Sequence, residues 1–122
     1  MVESVLIISD QSPIGKNSAA EAIRIGSGFV ALGEFIDCKI VFMADAVYLL
    51  SKNASPEAVG MDTMDEVLEM ADLSELELYV IDSSLYEAGL TKEDLIEYEN
   101  LKIININKLT DLIENANTCF RF

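Results

Sequence analysis

The sequence predicts an α/β fold: a three-layer α/β/α sandwich on a mainly parallel five-stranded sheet. Two observations predict it. Short apolar runs recur along the chain: VLIIS from Val5, KIVFMA from Lys39, LELYVI from Leu76, LKIINI from Leu101 and TCFRF from Thr118. Runs of this length with little polar alternation read as strands covered on both faces. Between them lie segments with apolar residues at helical spacing, and strands alternating with helices argue for a parallel sheet with helices on both sides.

In chain order, Val5 to Ser9 is the first strand. Asp10 to Asn17 is a polar loop with Pro13 and Gly15 as turn residues. Ser18 is placed to cap a helix from Ala19 to about Leu32, with Ala22, Ile23, Ile25, Phe29 and Val30 on its apolar side and Gly33 as its stop. Gly26 and Gly28 inside it each cost about 1 kcal/mol relative to Ala, which points to close packing against the sheet or another subunit. Lys39 to Ala44 is the second strand, Asp45 caps a short helix from Ala46 to Ser51, and Lys52 to Gly60 is the main loop. Met61, Met64, Val67, Leu68 and Ala71 give an amphipathic helix over Thr63 to Ala71, its methionines serving as core.

The chain is organised around Leu76 to Leu90, LELYVIDSSLYEAGL. A central strand ends in Asp82-Ser83-Ser84, whose oxygens can cap the next helical turn, Leu85 to Ala88. Gly89 then ends that turn in the left-handed region. This places Asp82, Ser83 and Ser84 at the carboxyl end of the strand, where ligands collect in open α/β sheets. Thr91 with Asp94 reads as a capping box for a helix over Lys92 to Tyr98. A fourth strand over Leu101 to Ile106, a helix over Lys108 to Asn115 and a fifth strand over Thr118 to Phe122 complete the chain.

Composition narrows the function. The 122 residues fit one domain, 1–122. With 51% apolar residues, some surface is expected to remain for a partner chain. A net charge of −14 repels phosphate backbones and argues against direct nucleic-acid binding. No run is long enough for a membrane span, and the start lacks a basic signal-peptide region, so a cytoplasmic protein is expected. The absence of His excludes Ser-His and Cys-His catalysis within the chain. Cys38 and Cys119 form no CxxC and define neither a zinc site nor a disulfide framework.

Three constellations bear on chemistry. Ser12 to Ser18 follows a strand and precedes a helix, as a P-loop does, but the early Gly position holds Asp10 and Asn17 replaces the Mg²⁺-binding hydroxyl, so it reads as a turn and cap. Asp10, Asp45 and Asp82 end strands at one predicted edge, where carboxylates can hold Mg²⁺, although capping accounts for Asp45 without a metal. A receiver-like edge would need a second acid where Gln11 stands and a strand-end Lys, for which Lys108 is the available residue. Among the thiols, Cys38 leads into a covered strand and Cys119 is the one candidate for a reactive sulfur.

Four features resemble the DsrE/DsrF-like family, which includes the TusC and TusD subunits of the sulfur relay. VLIISD leads through a polar loop into an Ala-rich helix ending at Gly33. Met43-Ala44-Asp45-Ala46-Val47-Tyr48-Leu49-Leu50 resembles the family's strand-end motif. The central stretch with Gly89-Leu90-Thr91 is similar to its third strand and helix, and a short helix and apolar strand close the chain. The resemblance implies an α/β/α sandwich and homo-oligomers (dimers, trimers or hexamers) or assemblies with related DsrE-like subunits. No cofactor is expected. In sulfur-carrying members a Cys at the end of the strand matching Leu76 to Ile81 holds a persulfide. Here Ile81 to Ser84 contains no Cys, and a Ser hydroxyl cannot form the S–S bonds of a relay. The chain therefore resembles the DsrF/TusC type of subunit, a non-catalytic one. The alternatives are a small-molecule or metal-binding domain using the Asp10, Asp45 and Asp82 edge, or a sulfur carrier using Cys119.

Overall fold

The computed structural model describes residues 3–11, 18–31, 36–51, 69, 71–73 and 75–121. Five strands, β1 (Glu3–Ser9), β2 (Ile36–Phe42), β3 (Glu77–Ile81), β4 (Leu101–Ile104) and β5 (Thr118–Arg121), form one sheet in the order β4-β3-β2-β1-β5. Every neighbouring pair is parallel. The chain lays β2, β3 and β4 to one side of β1 and then crosses back to place β5 on the other, so the order reverses at β1. The strand from Glu77 is an interior strand, but β2 holds the middle of the sheet.

Strict alternation along the strands sorts their apolar residues into two cores. On one face Val5, Ile7, Ile40, Phe42, Leu78 and Val80 pack with Ala22 and Ile23 of α1 (Ser18–Val30), with the 3₁₀ segment Ala44–Leu50, and with Leu85 of α2 (Asp82–Ala88). On the other, Leu6, Val41, Tyr79 and Ile81 pack with Leu109 of α3 (Ile106–Asn115). The result is the expected α/β/α layering, with the second face covered among the described residues by α3. Gly26 permits the close approach of α1: a Cβ there would lie 2.9 Å from Ile40 Cδ1 and 3.3 Å from Leu76 Cδ2. At Gly28 no described atom lies within 4 Å of such a Cβ, so among the described residues the close-packing reason read from the sequence holds at one glycine and not at the other.

Several boundaries move for identifiable reasons. The second strand begins at Ile36 rather than Lys39, because β1 pairs from Glu3 onward and carries Ile36, Asp37 and Cys38 into the ladder. The helix expected over Lys92 to Tyr98 is only one 3₁₀ turn, Lys92–Asp94. Its capping box is present as read, with Thr91 N and Oγ1 both donating to Asp94 Oδ2. Beyond Asp94 the chain stays extended because its polar groups find partners elsewhere: Ile96 N donates to the Leu50 carbonyl and Tyr98 Oη to that of Leu76. The last helix starts at Ile106, two residues early, because Asn105 caps it by accepting from Lys108 N at 2.9 Å. The loop Ser12 to Asn17, the stop at Gly33, the loop Lys52 to Gly60 and the methionine helix up to Leu68 lie outside the described residues; Ala71 is helical and fully buried.

Candidate functional site

Because all strands run one way, the residues that follow β1, β2 and β3 emerge on one edge. Ser9 is level with Phe42 and Phe42 with Val80, so Asp10, Met43 and Ile81 share the next row. The corner there is built on backbone geometry. Met43 N donates to the Ser9 carbonyl, and the chain then turns through Ala44 at φ 51°, a conformation L-residues with a Cβ adopt only at a cost. Ser84 Oγ accepts the Ala44 N–H at 2.9 Å and holds that turn. Ser84 is thus a buried tie between the first turn of α2 and the exit of β2.

The remaining edge residues do different work from that expected. Asp82 is the first residue of α2, not its cap. Ile81 occupies the cap position with no side-chain bond, and Asp82 Oδ1 accepts from Ser83 N at 2.7 Å. Gly89 ends the helix at φ 73°, as its position predicted. Asp45 lies inside the first turn of the 3₁₀ segment, and Met43 stands in the cap position, so the capping role read for Asp45 is corrected. Asp10 is held by Arg121 of the neighbouring strand β5, with Nε to Oδ2 at 2.6 Å. Among the described residues no three His, Cys, Asp or Glu side chains come together in a group able to hold a metal ion. Asn105, not Lys108, stands at the end of β4, so the receiver-like arrangement lacks its lysine.

The two thiols differ sharply. Cys38 sits inside β2 beside Val5, 3% exposed, and burial followed by the neighbouring Asp37 pushes its thiol up to about 11. Such a group is a small hydrophobe at neutral pH. Cys119 is exposed in the middle of the edge strand β5, level with Leu6, and partial burial raises its thiol as well. Neither thiol lies in the row of Asp82, Ser83 and Ser84. The sequence reading missed the pairing of Asp10 with Arg121 and the long-range acceptor role of Ser84. Both link elements that are far apart in the chain, and no local pattern announces them.

An open, all-parallel α/β sheet with its polar corner at the carboxyl edge and no thiol in that corner defines the class of protein. The chain belongs to the DsrE/DsrF-like family, whose model matches residues 3–122. It is 23% identical to the intracellular sulfur oxidation protein DsrF of Allochromatium vinosum, over all of this chain and 98% of that protein. Its fold is similar to that of the ychN protein from E. coli, with a TM-score of 0.80 and 18% identity over the full length of both chains. It is also similar to a protein of unknown function from Methanobacterium thermoautotrophicum, with a TM-score of 0.67 and 12% identity, again over both full lengths. Among the described residues no helix is long and apolar enough to cross a membrane.

Proposed function

We propose that this chain is a single-domain, cytoplasmic subunit of a sulfur-handling assembly, built from copies of itself or from related DsrE-like chains, and that it does not itself carry persulfide. The observation that carries this reading is the strand end after β3. Asp82, Ser83 and Ser84 stand there with no cysteine, at the place the family resemblance assigns to the carriers' cysteine, and Ser84 is already committed to the Ala44 N–H. Kinship with a protein named for sulfur oxidation supports the pathway. A relay step needs an exposed thiolate that attacks a persulfide sulfur. Burial disfavours the thiolate at Cys38, and partial burial does so at Cys119.

Incubation with a cysteine desulfurase and cysteine tests this directly by intact mass. The protein is expected to emerge without added sulfur. A stable gain of one sulfur atom that Cys119→Ser abolishes and Cys38→Ser does not would overturn the non-catalytic reading. Relay chemistry would then lie on the edge strand β5.

A further inference from the structure

The chain carries eight Lys and Arg against 22 Asp and Glu. Two of the eight, Lys16 and Lys52, lie outside the described residues. Three of the others are paired: Arg24 with Glu21, Lys39 with Asp37 and Glu77, and Arg121 with Asp10. The last three, Lys92, Lys102 and Lys108, make no ion pair with the described residues, and all three line one groove of about 920 Å³. Glu93 and Glu97 also line the groove, leaving a local excess of one positive charge where the whole chain has −14.

The groove runs beside β4, an edge strand. Leu78 N donates to the Asn100 carbonyl, so by the alternation of a parallel ladder Lys102 and Ile104 direct their backbone groups to β3. The N–H and C=O of Ile103 then face away from the sheet, and its side chain is partly exposed. Leu95, Ile96 and Tyr98 add apolar lining.

We propose that this groove receives an acidic, extended segment of a partner protein, with apolar residues between its carboxylates, laid along β4. Edge pairing would supply backbone hydrogen bonds at Ile103, and the three lysines would supply selection by charge. Nucleic acid would meet the acidic remainder of the surface. The inference concerns how the proposed subunit meets a partner, but it rests on the groove alone. Cys119 lies on the opposite edge of the sheet, roughly 19 Å away by strand spacing, so the outcomes of the two tests are separable.

The test uses a fluorescein-labelled octapeptide of alternating Glu and Val, with the Gln-for-Glu peptide as comparison, read by fluorescence anisotropy on the full chain. The acidic peptide is expected to bind, to weaken as salt rises from about 50 to 300 mM, and to protect the Ile103 amide from hydrogen exchange. Lys102→Glu is expected to weaken binding about tenfold. The double variant Lys92→Gln with Lys108→Gln should act in the same direction, while Arg24→Gln on α1 should not. No binding of the acidic peptide, equal binding of the two peptides, or undiminished binding to Lys102→Glu would overturn the proposal. So would equal competition by single-stranded DNA, which would show unselective anion binding. A change in sedimentation of Lys102→Glu without peptide would overturn it in favour of a second copy in the groove.

Discussion

Gly26 and Gly28 allow the same substitution to be made twice, two residues apart on one helix, with opposite expected outcomes. Replacing either by Ala lowers the conformational entropy lost on folding and should contribute about 0.5–1 kcal/mol of stability. At Gly28 nothing opposes this, because no described heavy atom lies within 4 Å of the new Cβ. At Gly26 the new Cβ would meet Ile40 Cδ1 at 2.9 Å and Leu76 Cδ2 at 3.3 Å, inside the roughly 3.5–4.0 Å optimum for carbon pairs. Ile40 and Leu76 are fully buried and have little room to retreat. Overpacking of this kind costs about 1–3 kcal/mol. Gly28→Ala should therefore be more stable than the parent and Gly26→Ala less stable or level. The difference between the two variants, about 1–3 kcal/mol, reads the steric cost alone, since the helix term cancels. Urea unfolding at one fixed protein concentration measures it, the concentration being held because assembly shifts apparent stability. Equal shifts in the two variants would refute the reasoning that α1 is held against the sheet at Gly26. Loss of stability in Gly28→Ala, with a fall in sedimentation coefficient, would show that the open space beside Gly28 is filled by another chain.

Other expectations follow from single contacts. Ser84→Ala removes the acceptor for the Ala44 N–H at a left-handed turn and should cost about 1–3 kcal/mol in urea unfolding; an unchanged midpoint would show that the turn stands without the tie. Burial, and then the Asp72 carboxylate, push the Tyr98 phenol from 10.0 up to about 12, and burial followed by Glu77 does the same at Tyr79. Because the folded state favours the neutral phenols, their contribution is complete below pH 10.0 and is lost as pH rises toward 12. Tyr98→Phe should flatten that alkaline decline, which circular dichroism against pH would follow. Millimolar Mg²⁺ should leave the thermal midpoint unchanged, whereas a site saturated at a hundred times its dissociation constant would add about 2.7 kcal/mol; a rise of several degrees abolished by Asp82→Asn would revive a metal role for the carboxylate edge.

Where structure was set by local chemistry, the sequence was readable. Gly89 ends α2 because only a residue without a Cβ takes φ 73° at no cost, and Thr91 with Asp94 forms its box from residues three apart. Val5 to Ile8 and Leu78 to Ile81 are apolar on both faces, which is legible as interior parallel strands. Reading failed where a distant partner decides. Ile36 to Cys38 join β2 because β1 is there to pair them, although Asp37 breaks the apolar run. The capping box at Thr91 points to a helix over Lys92 to Tyr98, but the Leu50 and Leu76 carbonyls draw its second half into an extended path. The same limit applies to the site. Asp10 and Asp82 directly follow β1 and β3, but Asp45 lies inside the 3₁₀ segment beyond β2, and Arg121 claims Asp10 from 111 residues away.

The pairing of β5 with β1 has a consequence for how the protein is made. Val5 to Ile8 wait for Thr118 to Arg121, the last described strand, and Ser4 and Asn117 close the seam with two hydrogen bonds, from Ser4 N to Asn117 Oδ1 and from Asn117 N to the Ser4 carbonyl. Until β5 is made, the nascent chain therefore presents an apolar strand with one free side. Four strands can assemble in the order in which they leave the ribosome, each beside its predecessor, but the fifth must cross the sheet to reach the oldest one. Native pairing at that seam waits for β5, and until it forms, β1 is a template for any other strand that reaches it first. The net charge of −14 slows unselective encounters between unfinished chains and so protects that interval.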